Sequence, residues 1–89
     1  MTLRFDGIVK PLRRGGWSAR GVVIATRHGQ LIETQIGPKE FPERELSEHW
    51  LRQIAAELSI ETVRVTNGSG AFDRVIAAVG QVVPLARSV

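Results

Sequence analysis

Several residues in this 89-residue chain have types and spacings that could do chemistry. Asp6 closes an apolar run in "LRFDG" and either opens a turn before Gly7 or forms one wall of a site. Arg13 and Arg14, followed by Gly15-Gly16-Trp17 and then Arg20, form a basic loop. Guanidiniums grip phosphates through paired donors, and an indole face stacks on a base. The same loop could equally be a solvated surface with Trp17 folded onto a sheet. Glu45 and His49 are spaced one helical turn apart, so they could share a cation or merely a polar face. Asn67 opens "NGSG", a turn able to form an anion-binding nest, or simply a connection. It lacks the Lys-Ser/Thr ending of a Walker loop, which argues against a nucleotide site. His28 falls in a short turn, and no Ser/His/Asp or Cys/His triad can be assembled.

The elements that must position these residues follow from length and pattern. Eighty-nine residues suffice for a single domain over 1–89 with one small core. An apolar content of 43% argues against disorder. The absence of cysteine excludes a disulfide framework and a thiolate metal site. No apolar run approaches the roughly 18 residues of a membrane span, and "MTLRFD" does not open like a signal peptide. These features lead us to expect a cytoplasmic protein with no membrane partner. Net charge is +3 and uneven: residues 1–40 hold seven Lys/Arg against three Asp/Glu, and residues 41–89 hold five against six. A basic patch of this kind favours a polyanion through counterion release, so nucleic acid is the expected partner.

Three strands are expected first, over 2–9, 20–26 and 30–36, joined by the basic loop and by the turn "RHGQ" in an antiparallel meander. "GPKEFPER" breaks the alternation. Leu46, Trp50, Ile54 and Leu58 then recur at four-residue spacing, with Leu51 and Ala55 beside them, which predicts an amphipathic helix of about four turns. "ETVRVT" (61–66) reads as a fourth strand, parallel to the first across a right-handed crossover. "AFDRVIAAV" (71–79) reads as a second helix that Gly80 stops. The expected order is β-β-β-α-β-α, an α/β fold with helices packed on a mixed sheet.

In this order the chain resembles the N-terminal two-thirds of a ribonuclease H domain, especially the archaeal and reverse-transcriptase-like branch. The residues that carry the likeness are "FDG" (5–7), "GGWSARGVVI" (15–24), "HGQLIETQIG" (28–37), "RELSEHWLRQIAAEL" (44–58) and "VRVTNGSG" (63–70). The resemblance spans about residues 3–80 and is sharpest over 5–37. It implies a ribonuclease H-like fold and metal-dependent hydrolysis of RNA in RNA/DNA hybrids by two Mg²⁺ or Mn²⁺ ions about 4 Å apart. It further implies Asp6 as the first metal-bridging carboxylate and Glu45 as the second, with Glu43 and Glu48 as alternatives. Asn67 would stand third, where the family has Asp. Arg13, Arg14, Trp17 and Arg20 would track the nucleic acid.

Relative to the family, the chain is shortened. The family continues with a fifth strand and a last helix that brings a fourth acidic ligand, whereas the last acidic residue here is Asp73. An incomplete carboxylate set implies a weakened hydrolase. The alternative is a catalytically inactive module that binds nucleic acid or protein and self-associates. Without the family's fifth strand, strand 61–66 would be an exposed edge, covered by residues 81–89 or paired with a second copy in a homodimer.

Overall fold

The computed structural model describes residues 2–67 and 72–79. Five strands and one helix follow in the order β1 (Thr2–Pro11), β2 (Trp17–Arg27), β3 (Gln30–Phe41), α1 (Arg44–Glu57), β4 (Thr62–Thr66) and β5 (Phe72–Ala77). They form one mixed sheet in the order β3-β2-β1-β4-β5. The meander is antiparallel, with Asp6 level with Val22 and Val22 level with Gln35. The crossover through α1 returns β4 parallel to β1, with Asp6 level with Arg64 and Ile8 level with Thr66. The coarse α/β reading and the parallel fourth strand therefore hold.

The second helix does not. Residues 72–77 are a strand, antiparallel to β4, with Val63 level with Ile76 and Arg64 level with Val75. Phe72, Val75, Ile76 and Val79 have helical spacing, but a run this short also satisfies a strand. The β-branched pair Val75-Ile76 and the glycine-rich connection to β4 favour a hairpin. As a result, β4 is not an edge. It lies between β1 and β5 with both sides hydrogen-bonded, so it is closed to a second copy, and the homodimer expected through 61–66 has no free strand there. Among the described residues, the sheet edges are β3 and β5. Residues 68–70 of the proposed nest, Gly80 and the tail 81–89 lie outside the described residues.

The meander strands run longer than alternation alone indicates. β3 continues through "GPKEF" to Phe41 by way of a bulge, where the register with β2 shifts between Ala19 and Gly21. Pro38 is tolerated here because an edge strand leaves one side of its backbone unpaired.

The core lies between α1 and one face of the sheet. Phe5, Val9, Ala19, Leu51, Ala55, Val63 and Val65 are fully buried. The buried stripe of the helix is Ser47, Glu48, Leu51 and Ala55, rotated by about one residue from the Leu46–Trp50–Ile54–Leu58 row. Leu46 is 45% exposed, while Trp50, Ile54 and Leu58 flank the core. Glycines in the sheet explain the rotation. A Cβ on Gly7 would come within 2.5 Å of Leu51 Cδ1, and one on Gly21 within 2.5 Å of the Phe5 ring. Leu51 and Phe5 descend into space that any larger residue would close.

Candidate nucleic-acid interface

Strand alternation assigns every side chain of the sheet to one of two faces. On β1, Phe5, Gly7 and Val9 face α1, so Arg4, Asp6, Ile8 and Lys10 face away from it. The register carries this assignment across the sheet. Ser18, Arg20, Val22 and Ile24 of β2 stand beside Lys10, Ile8, Asp6 and Arg4 respectively, and Arg64 and Thr66 of β4 stand beside Asp6 and Ile8. No helix among the described residues covers this second face. Ile8, Val22 and Ile24 form its half-buried floor. Arg4, Lys10, Arg20 and Arg64 rise from it.

Asp6 belongs to this face and starts no turn, because β1 runs on for five residues beyond it. Its side chain is 26% exposed, and Oδ1 lies 3.4 Å from Arg4 Nε. That is ion-pair distance without a hydrogen bond; Oδ1 is buried and accepts from no donor. Glu45 projects from the first turn of α1, on the other side of the sheet, and is exposed. Of the alternatives, Glu43 is the exposed N-cap residue of that helix. Glu48, only 7% exposed, accepts hydrogen bonds from Arg44 Nε at 3.0 Å and from Arg74 Nη2. Asn67 follows the last residue of β4 and is exposed. Thr66 is level with Ile8, which puts Asn67 about three residues, or roughly 10 Å, beyond Asp6 along the strand direction. The sheet thus separates Asp6 from the helix carboxylates.

Two cations held about 4 Å apart need carboxylates that converge on one space. Among the described residues, no group of three or more His, Cys, Asp or Glu side chains is placed to hold a metal ion. Asp6, Glu45 and Asn67 do not fit the dinuclear Mg²⁺ or Mn²⁺ centre that the resemblance implies. Glu45 and His49 do line one groove, with Leu46, Glu48, Arg52 and Arg74. Its two arginines and the bonds already made to Glu48 leave it a fastening between α1 and β5. Arg52 Nε completes that fastening by donating to the Ala77 carbonyl at 2.7 Å.

The basic loop divides into parts with different surroundings. Arg13 and Arg14 lie in the β1–β2 connection, a tight turn closed by Leu12 N–H donating to Gly16 O at 2.9 Å and Gly15 N–H to Leu12 O at 3.0 Å. Both side chains are exposed. Arg14 Nη2 meets Glu40 Oε1 at 2.5 Å, and the carboxylate raises the guanidinium pKa above its ordinary value. Trp17 is turned toward the helix side. It packs against the core with Arg44 over its ring, 5.6 Å from the centroid. This packing matches the alternative reading of that loop, with Trp17 folded onto the sheet. Arg20 is not in the loop but on β2, on the uncovered face.

The sequence reading missed Arg4, Lys10, Ser18 and Arg64. Alternation along "RFDGIVK" places Arg4, Asp6, Ile8 and Lys10 together, but which face is buried depends on Gly7 receiving Leu51, a relation no local pattern reveals. Comparison of the chain with family profiles, with curated proteins and with solved structures finds no match.

Proposed function

We propose that this chain is a non-catalytic nucleic-acid-binding module that uses the uncovered face of its sheet. The observation that carries this reading is the set Arg4, Lys10, Arg20 and Arg64, all on that face at neighbouring register positions over a floor of Ile8, Val22 and Ile24. Lys10 and Arg4 are six residues apart on β1, about 20 Å in an extended strand. The cations therefore span several nucleotides of a backbone. Acidic side chains on the same face are partly offset: Arg4 lies at ion-pair distance from Asp6, and Arg14 from Glu40. Glu33 lies toward the far end of the β2–β3 hairpin, level with Ile24. Phosphate contacts of this kind confer affinity with little sequence preference. Among the described residues, the hydrolase alternative has no converging carboxylates to support it.

Fluorescence anisotropy with labelled single-stranded RNA and with an RNA/DNA hybrid tests the reading. With three to four phosphates contacted, log K should fall with log salt at a slope of about −2 to −3 on a single strand. Arg4→Gln and Arg64→Gln should each weaken binding and flatten the slope, with the RNA left uncut in Mg²⁺. Absence of binding by the folded chain at low salt, to either probe, overturns it.

A further inference from the structure

We propose that Lys10, Ser18 and Arg20 form an oxyanion site for one phosphate group, the anchoring point of a nucleic-acid backbone on the uncovered face. This deepens the function proposed above and rests on it. The three residues line a shallow concavity with Ile8 and Pro38. Lys10 is level with Ser18 and Ile8 with Arg20, so they occupy a two-by-two block on adjacent strands. Neighbouring positions in such a block are about 5–7 Å apart, within side-chain reach of a common oxyanion.

Arg20 supplies the deciding observation. Its Nε is buried and donates to no acceptor. A buried donor without a partner is costly, and a turn of the side chain that brings Nε to an oxygen in the concavity removes that cost. Arg20 stands where the β2–β3 register shifts, between Ala19 and Gly21, so it has no partner residue on β3. Bulges re-aim side chains in this way, and Pro38 on the facing strand walls the concavity.

The nearest carboxylates do not fill the role. Glu40, level with Ser18, is engaged by Arg14 Nη2. Asp6, diagonal to Arg20, lies 3.4 Å from Arg4 Nε, and neither its Oδ1 nor Arg20 Nε has a hydrogen-bond partner.

The donor set matches a phosphoryl group. A guanidinium can offer Nε–H and Nη–H to two oxygens in one plane, and Arg20 lines the concavity. Lys10 adds a compact positive charge, and the Ser18 hydroxyl donates to a further oxygen. Ile8 excludes water from one side, which strengthens each bond. A phosphodiester and free inorganic phosphate present the same chemistry, so the test separates them.

The full chain is titrated with inorganic phosphate, and separately with a ten-nucleotide single-stranded RNA, while the Arg20 side-chain Nε–Hε resonance is followed by NMR. Both titrants should shift it saturably. Arg20→Gln should weaken both by about tenfold or more, and Arg20→Lys, which keeps the charge but loses the fork, by a smaller factor. Arg4→Gln, outside the concavity, should weaken RNA binding and leave phosphate binding unchanged. Backbone amide spectra confirm that each variant is folded. If RNA binds with sensitivity to Arg4 while the Arg20 resonance stays still, the oxyanion site is overturned and the module reading stands. If phosphate titrates Arg20 but no RNA binds, the site stands as one for free phosphate and the module reading is overturned. If neither binds, both are overturned.

Discussion

Leu51 occupies the place that a side chain at residue 7 would need: a Cβ on Gly7 would lie 2.5 Å from Leu51 Cδ1. This contact joins α1 to the middle of the sheet and settles the face assignment of all of β1. Because Gly7 faces the helix, Asp6 and Ile8 cannot. The Asp-Gly pair, which as a dipeptide suggests a turn, is here a charged residue on the open face beside a vacancy on the packed one.

Gly7→Ala should therefore destabilise the fold by about 1–3 kcal/mol through overpacking. Leu51→Val on that background should recover part of the loss, giving a coupling of about 0.5 kcal/mol or more for residues in direct contact. Gly29→Ala is the contrast: its φ of +78° strains any larger residue, but nothing lies within 4 Å, so truncating Leu51 should not alter its cost. Urea melts of the single and double variants measure both. Equal responses to the Leu51 change would show that Gly7 is not a packing site.

Glu48 is expected to be the most sensitive carboxylate in the chain. It is nearly buried and takes hydrogen bonds from Arg44 and Arg74, which ties α1 to β5. The side chains of Arg44 and Arg74 are 35% and 54% exposed, so both guanidiniums regain water when Glu48 is removed. Solvent screening brings the expected cost of Glu48→Ala below that of a fully buried pair, to about 1–2 kcal/mol. Glu45→Ala, an exposed position on the same helix, should stay within about 0.5 kcal/mol. Thermal or urea unfolding checks the ranking, and a Glu45 effect as large as that of Glu48 would contradict it.

The separation of Asp6 from Glu45 predicts how divalent metal behaves. If Mn²⁺ associates weakly with either carboxylate, paramagnetic broadening should appear around one and not jointly around both. Asp6→Asn should leave broadening near Glu45 unchanged, and Glu45→Gln should leave that near Asp6 unchanged. Simultaneous loss in either variant would mean that the two groups share an ion, contrary to their placement on opposite sides of the sheet.

Much of the framework was legible from periodicity. The meander, the long helix and the parallel return of β4 follow from alternation, four-residue spacing and crossover handedness, all local or chirality-driven signals. The errors came where two periods fit one short run. Residues 72–77 satisfy both helix and strand, and their pairing with β4 is what settles the matter. The helix face was displaced for a similar reason. Leu46, Trp50, Ile54 and Leu58 make the more apolar row, but the sheet offers its deepest recess above Gly7 and Gly21, and Leu51 is the residue that fills it. The candidate site was legible only in part. Arg20 was picked out with the wrong neighbours, because its company of Lys10 and Ser18 is a cross-strand relation. Glu45 is linked to Asp6 only through the resemblance, which does not say on which side of this sheet each side chain lies.

Trp17 provides a last test, separating a structural indole from a base-stacking one. Its ring packs against the core on the helix side and lies beneath Arg44. Trp17→Ala should cost about 2–3 kcal/mol through lost burial and the lost cation–π contact, less than full excision of a buried aromatic because the site is half exposed. Trp17→Leu keeps part of the apolar contact without an aromatic face and should leave RNA affinity within about twofold, since an aromatic that carried a stacked base would contribute about 1–3 kcal/mol to binding. Anisotropy titrations of a folded Trp17→Leu variant, alongside Arg20→Gln, decide the point. If the leucine variant binds as poorly as the glutamine variant, Trp17 stacks on a base and the interface extends from the sheet face to the basic loop.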